Sequence, residues 1–454
     1  MSLAALLSLV ALVIVIIVSC IREEWNPGLL AIAAALIVGA GWGGLKGGDI
    51  LKFWPTSLFM ILLGVTFLFS MAQENGTLEK LTAYAVRLAR GNTALIPWII
   101  FVIVVVITTI GPGNIAATAM IAPLAMAIAG RIGLSAFLMT LLVVGAANAA
   151  AFSPFAPTGI ISMGLISKMA PQIGINPEAV VGIEWKVYFN SMIAQGITNI
   201  GGFLVLGGLA WMRRQKGASL NIDDIAPKPE PFTRQQWITL IAIVLFVILV
   251  LAPGLPGVKG VLPKWALNML SDVGAIAFIL SGILILCNVA SVKESVKRIP
   301  WFVLLLVCGV TVLIEVMDKT GGLKVLVDLI GAISTPLTVH FWVALIDGII
   351  SAYSSSSGVV MPMFLPLVPG LLQKLGLMGI PEQVHHAVAL ISSINVGAHL
   401  VDTSPLSTLG ALCIACAAEH ENKARLFRNL LIWGLSMSLV GGIICLLFFG
   451  VLGL

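Results

Sequence analysis

Four short polar interruptions break the long apolar runs of this 454-residue chain, and each holds residues able to bind an ion. Two are Gly111-Pro112-Gly113-Asn114 and Ser354-Ser355-Ser356-Ser357-Gly358. The others are Phe152-Ser153-Pro154 and Asp402-Thr403-Ser404-Pro405. Where a helix restarts beyond Gly or Pro, it presents unpaired N–H groups and a partial positive charge, which suit an anion. Pro154, Pro157 and Pro405 leave upstream carbonyls without helical partners, and these, with Ser, Thr and Asn oxygens, suit a hard monovalent cation such as Na+. An anion is expected at Gly113, Asn114, Thr118, Ser153, Thr158, Ser356, Ser357, Thr403 and Ser404. A cation is expected at Gly111, Asn114, Asn148, Ser354, Ser356, Asn395, Asp402 and Thr403. Asn114 is also placed to cap the arm that follows it. No Lys or Arg falls in any interruption, so helix dipoles, hydroxyls, amides and a bound cation would hold the anion.

One such polar residue alone would read as a packing contact between membrane helices. Four clusters, each at an interruption, read as function. Charges inside the apolar runs are few. Asp402 has two open roles, a coupling carboxylate or a cap of the resumed helix, with His399 one turn earlier. Asp347 is expected to bond the Ser354–Ser357 turn and to be structural, while Glu315 and Asp272 lie toward span ends. His385 and His386 are expected in an external loop. Cys413 and Cys416 have redox spacing without flanking ligands, and all six cysteines read as small hydrophobes. No Ser/His/Asp or metal cluster is evident, so no enzyme, cofactor or metal beyond Na+ is expected.

The elements that must carry these residues follow from composition. The chain is 59% hydrophobic and 10% charged, against about 25% charged in soluble proteins. That excludes an ordinary soluble enzyme and a disordered or disulfide-built protein, and the dispersed net charge of +5 makes no nucleic-acid patch. An all-α integral membrane protein is expected, with about ten crossings of roughly 20 residues each, the first a retained span and not a signal peptide. The stretches 94–129 and 336–373 are halved by their interruptions and read as re-entrant hairpins. Those at 134–165 and 384–416 are too long for one simple helix and read as broken helices. With this arrangement the larger share of the 25 Lys and Arg falls on one side, which should be cytoplasmic. Both termini then lie outside. The polar run 212–236, with Asp223, Asp224 and Pro227, is a cytoplasmic linker between an N-terminal half, 1–211, and a C-terminal half, 237–454.

The halves resemble each other. Gly64-Val65-Thr66 returns as Gly309-Val310-Thr311 and Gly76 as Gly321, shifted by 245 positions. Pro123-Leu124 returns as Pro366-Leu367, and Ser153-Pro154 as Ser404-Pro405. The hairpins open to opposite sides in this topology, so the repeats are inverted. Such repeats with interrupted helices point to a secondary transporter with its site near the midplane.

Several stretches resemble the malonate/dicarboxylate carrier family of the ion transporter superfamily. They are Asn75-Gly76-Thr77 through Gly91, Leu95-Ile96-Pro97-Trp98, Phe152-Ser153-Pro154, Ser351 to Ser357, and Val401-Asp402-Thr403-Ser404-Pro405 through Leu412. The last is the most specific. The resemblance implies uptake of a small dicarboxylate, of the malonate or C4 class, coupled to Na+ or H+ across a bacterial inner membrane. It also implies a homodimer whose transport domain slides past a scaffold, an elevator mechanism. In the related divalent anion–sodium symporters each hairpin tip carries Ser-Asn-Thr; the matching triplets here are Gly113-Asn114-Ile115 and Ser356-Ser357-Gly358. Asn114 and Ser356 fit, and the other four positions depart. Two alternatives stay open, a Na+/H+ antiporter of the same superfamily and a membrane subunit dependent on a separate substrate-binding protein.

Overall fold

The computed structural model describes residues 2–21, 25–90, 92–174, 180–216, 228–254, 263–270, 272–419 and 421–454. Arg22, Lys259 and, in the expected linker, Asp223, Asp224 and Pro227 lie outside the described residues. Among the described residues the elements are helices throughout. Eight are long and apolar enough to cross a membrane, and six shorter apolar helices accompany them. The chain is a multi-pass membrane protein.

The interruptions divide the chain as their composition requires. The first hairpin has arms Ile96–Ile110 and Gly113–Ile132. Its turn rests on Gly111 at φ +144° and Gly113 at φ +83°, backbone conformations that side chains with a Cβ rarely adopt. The first broken helix runs Ala136–Ala150, unwinds, and resumes at Pro157–Met169. The second hairpin has arms Val339–Ser351 and 356–374, the latter opening with the π-helical turn Ser356–Val360. The second broken helix runs Gln383–Leu400, passes through the 3-10 turn Val401–Thr403 and resumes at Thr408–Ala415. Its first turn contains His385 and His386, which corrects the expected loop; their apolar neighbours continue a helical face that begins at Gln383.

Both broken helices are buried nearly all round, as central helices should be. Residues 138–150 and 387–400 form an unbroken buried run in each case. The short amphipathic helices Thr77–Val86 and Gly322–Ile333 lead into the hairpins. Cys308, Cys413 and Cys445 are buried free thiols, Cys416 is half-buried and Cys287 exposed.

Outside the hairpins, two helix pairs approach at their backbones. Pro27–Gly41 packs on Trp301–Thr320, and Val273–Leu286 packs on Thr56–Glu74. Asn26 caps the first of these helices by accepting from the Gly28 and Leu29 N–H groups. A Cβ on Gly309 would lie 2.1 Å from the Gly28 carbonyl oxygen, and one on Gly64 would lie 2.9 Å from that of Gly274. Apolar burial drives helix association weakly in lipid, so close contacts at small residues carry it. Overpacking of this kind costs about 1–3 kcal/mol. Gly309→Val should therefore lower the melting temperature of the purified protein by about 2 °C or more. Gly282→Val, where a Cβ meets nothing within 4 Å, should leave it unchanged. Equal melting of the two variants would remove the close-approach account.

Candidate functional site

The two hairpin tips come together. Asn114, Ile115 and Ser357 line two adjoining cavities, of about 290 Å³ and about 220 Å³. The first is also lined by Tyr353, Ser354 to Ser356, Asp402, Ser407 and Thr408. The second adds Thr66, Ser70, Gln73, Gly113, Thr158 and Arg298. Both lie toward the N-terminal end of helix 301–320, at Phe302 and Val303. A third cavity, with the Lys168–Glu315 ion pair of 2.9 Å, lies toward that helix's other end.

Each tip is tied to a broken helix. The Asn114 amide donates to Asn148 Oδ1 at 2.9 Å, and the Asn148 amide donates to the His399 carbonyl at 3.0 Å. Ser356 Oγ donates to Asp402 Oδ1 at 2.6 Å. So one relay runs from the first tip through both broken helices, and a shorter one links the second tip to the second break.

Besides helix 301–320, whose first turn brings Phe302 to the wall, four helices begin at the first cavity. Pro27 opens one, with its N–H groups partly capped by Asn26. Asn114 and Ile115 are in the first turn of the second, and Ser356 and Ser357 of the third. Thr408 and Leu409 open the fourth, with Ser407 as its cap accepting from the Leu409 N–H. Helix starts concentrate unpaired N–H groups and positive partial charge. An anion is favoured in such a cavity, apart from one feature. The Asp402 carboxylate, 5% exposed, lines the same wall. Two unit charges of like sign 4 Å apart repel by about 4 kcal/mol at an effective dielectric of about 20. An anion that close to an ionised Asp402 would be repelled unless a positive charge or a proton offset it.

Residues 1–151 match the family of the dicarboxylate carrier protein MatC N-terminus. Over that N-terminal third the carrier resemblance is borne out. The search of curated proteins found no match. Among solved structures, the chain is similar to the YdaH transporter of Alcanivorax borkumensis, at 16% identity and a TM-score of 0.57, covering 94% of this chain and 98% of that one. It is equally similar to MtrF of Neisseria gonorrhoeae, which is described with a class of antimetabolite efflux pumps. That match has 16% identity and a TM-score of 0.57, covering 98% of this chain and 95% of the other. At this identity the likeness establishes the fold, which is that of membrane transporters. The family matched over residues 1–151 is one of carriers.

The structure separates the expected residues into three groups. Asn114, Ser354, Ser356, Ser357, Asp402, Gly113 and Thr158 line the two cavities. Asn148 stands one hydrogen bond behind Asn114. The rest line neither of these two cavities. Ser153 is fully buried, its hydroxyl donating to the Thr109 carbonyl at 2.7 Å and accepting from the Phe155 N–H. Ser404 accepts from the Leu406 N–H and packs on Gly434, and Thr403 donates to the Leu400 carbonyl. These hydroxyls serve the backbone groups that the breaks set free. Thr118 is buried without a partner, Asn395 donates to Ser162, and Gly111 packs on the Phe69 ring.

Three single roles change as well. Asn114 is not the N-cap, because the helix already begins at Gly113, but its Oδ1 accepts from the Ile115 N–H at 3.0 Å while its amide turns to Asn148. Asp402 does not cap the resumed helix, because Ser407 does. Asp347 makes no bond to the serine turn; both its oxygens are buried without a partner.

Arg298 was not expected at the site. It ends the short helix Val292–Arg298, pairs with Glu74 at 2.7 Å and lines the second cavity. Burial pushes the nearby Glu79 carboxyl up, and Arg298 partly offsets the shift. A cation in a connecting segment ordinarily reads as solvated, so residue type gave no signal. Only the packing of 292–298 against helix 56–74 brings it to the first hairpin.

Proposed function

We propose that the chain is a secondary active transporter that imports a small dicarboxylate, of the malonate or C4 class, coupled to Na+ or H+. The observation that carries this reading is the joining of four helix starts and the Asp402 carboxylate around one cavity between the hairpin tips. Cavities for larger ligands run to about 300–1,000 Å³, so about 290 Å³ suits a small solute. The helix starts and Ser hydroxyls would hold its carboxylates. A cation at Asp402 would cancel the repulsion that otherwise excludes them, which couples the two by direct electrostatics. Arg298 would draw the anion to the neighbouring cavity.

The same reading takes the halves 1–211 and 237–454 as inverted repeats joined by the linker 212–236. The reciprocal close approaches Gly28 to Gly309 and Gly274 to Gly64 support it, because each pair becomes the other on a shift of about 245 positions. It places the hairpins and broken helices in a transport domain that moves against helices such as 56–74 and 301–320. It also takes the protein as a homodimer in a bacterial inner membrane with both termini outside.

A ligand that binds only the folded state stabilises it by about 2.7 kcal/mol at 100 times its Kd. Purified protein should melt higher with malonate or a C4 dicarboxylate, and higher again when Na+ is added. Liposomes containing the chain alone should accumulate that acid down a Na+ or H+ gradient. Transport of Na+ against H+ with no organic anion, or none without an added binding protein, would reject the proposal.

A further inference from the structure

Asp347 is a buried carboxylate that the site described above leaves unused. It stands in the first arm of the second hairpin, none of its surface is exposed, and neither carboxylate oxygen has a hydrogen-bond partner. One turn later Ser351 Oγ donates to the Ala398 carbonyl of the second broken helix at 2.6 Å, and the serine tip follows. Asp347 thus lies on the stem of the element whose end lines the cavity.

The elements packed on this arm supply no counter-charge. On its own helix His340 bonds Ser393. On the broken helix His399 bonds the Asn395 carbonyl, and Lys186 engages His385, which lies beside His386 two turns before Ser393. Asp402 is held by Ser356, and Asp328 of helix 322–333 by Lys374, with Lys324 exposed on the same helix. On the final helix, Lys423–Cys445, the Cys445 thiol is neutral and donates to the Ser393 carbonyl at 3.7 Å. Lys423, Arg425 and Arg428 begin that helix, and a rise of about 1.5 Å per residue puts them about 15 Å or more from Ser438, the residue that packs on Gly348 beside Asp347.

An ionised carboxylate in such a place would cost several kcal/mol, because nothing repays its lost hydration. The helix backbones next to it are in close contact. A Cβ on Gly348 would lie 2.9 Å from the Ser438 Cα, and one on Gly397 2.5 Å from the Ala344 Cα. A proton needs no coordination shell. From this packing we infer that Asp347 is a proton site of the transport cycle, separate from the cation place at Asp402. When the hairpin moves and water reaches the arm, an Asp347 oxygen gives its proton to water. It takes one back from water on the other side before the arm closes. One O–H bond breaks and one forms, with no change of oxidation state. This inference rests on the transporter reading.

The test uses the full chain in liposomes with a pH-sensitive dye inside, and substrate uptake followed in parallel. Asp347→Asn keeps the shape of the neutral acid, so it should fold and retain the dicarboxylate thermal shift. It should lose substrate-driven proton movement, and its uptake should stop responding to a pH gradient. Proton movement per substrate equal to wild type would overturn the inference. On unaltered protein, a hydrophobic carbodiimide, which reacts with neutral buried carboxylic acids, should modify Asp347 as read by peptide mass spectrometry. That readout stands even where the Asn variant fails to fold, and no modification at any pH that keeps the protein folded would equally overturn it. Wild-type protein that carries a dicarboxylate without protons sinks the Asp347 assignment alone. Protein that carries none sinks the transporter reading, while labelling still reports on Asp347.

Discussion

Asn114→Ala should remove most dicarboxylate uptake from proteoliposomes while the protein keeps its fold. The Asn114 side chain is only 8% exposed, yet it borders both cavities and starts the relay through Asn148 to the His399 carbonyl. Truncation takes an amide from a site with little water and leaves Asn148 Oδ1 without its donor. A hydrogen bond to a charged partner is worth about 1.5–3 kcal/mol, which is roughly ten- to a hundredfold in affinity. Asn148→Ala should mimic the loss, since it frees the Asn114 amide from its fixed direction. Thr118→Ala should not, because that hydroxyl is buried away from both cavities. Uptake of wild-type rate by Asn114→Ala would take the first tip out of the binding site.

The architecture was legible because its signals are breaks in otherwise uniform apolar sequence. The expected hairpin 94–129 coincides with helices 96–110 and 113–132, and the expected broken helix 384–416 with helices 383–400 and 408–415. Gly, Pro and serine runs in such a background leave little choice of chain path. The direction of each polar side chain was not legible. Near a break the helical period is lost, so sequence spacing no longer says which residues share a face. Ser153 and Ser356 look alike in sequence, but one turns inward to a carbonyl 44 positions away and the other reaches Asp402 and the cavity. The backbone groups freed by each break compete for nearby hydroxyls, and Ser153 and Ser404 are the ones taken. Asp347 was misread for a related reason. A carboxylate two turns from four serines is a natural bonding pair on paper, but neither Asp347 oxygen finds a hydrogen-bond partner there.

Asp402→Asn should abolish the dependence on Na+ and leave the cavity's shape intact. Asn is nearly isosteric, and its carbonyl oxygen can still accept from Ser356 Oγ, so the tie of 2.6 Å between tip and break has a replacement. What disappears is the negative charge. With it goes the site's attraction for a cation, and a charge pair at 4 Å is worth about 4 kcal/mol at an effective dielectric of about 20. A loss of that order weakens Na+ binding at least about a hundredfold. The repulsion that keeps the anion out disappears too, so the variant should bind dicarboxylate equally with and without Na+, a result read by melting in NaCl against choline chloride. Ser356→Ala separates charge from geometry, because it keeps the carboxylate and removes only its hydroxyl partner. That variant should remain Na+-dependent, with weaker binding. If Asp402→Asn kept its full response to Na+, the coupling cation would have to lie elsewhere, and the carboxylate at the cavity wall would need another explanation.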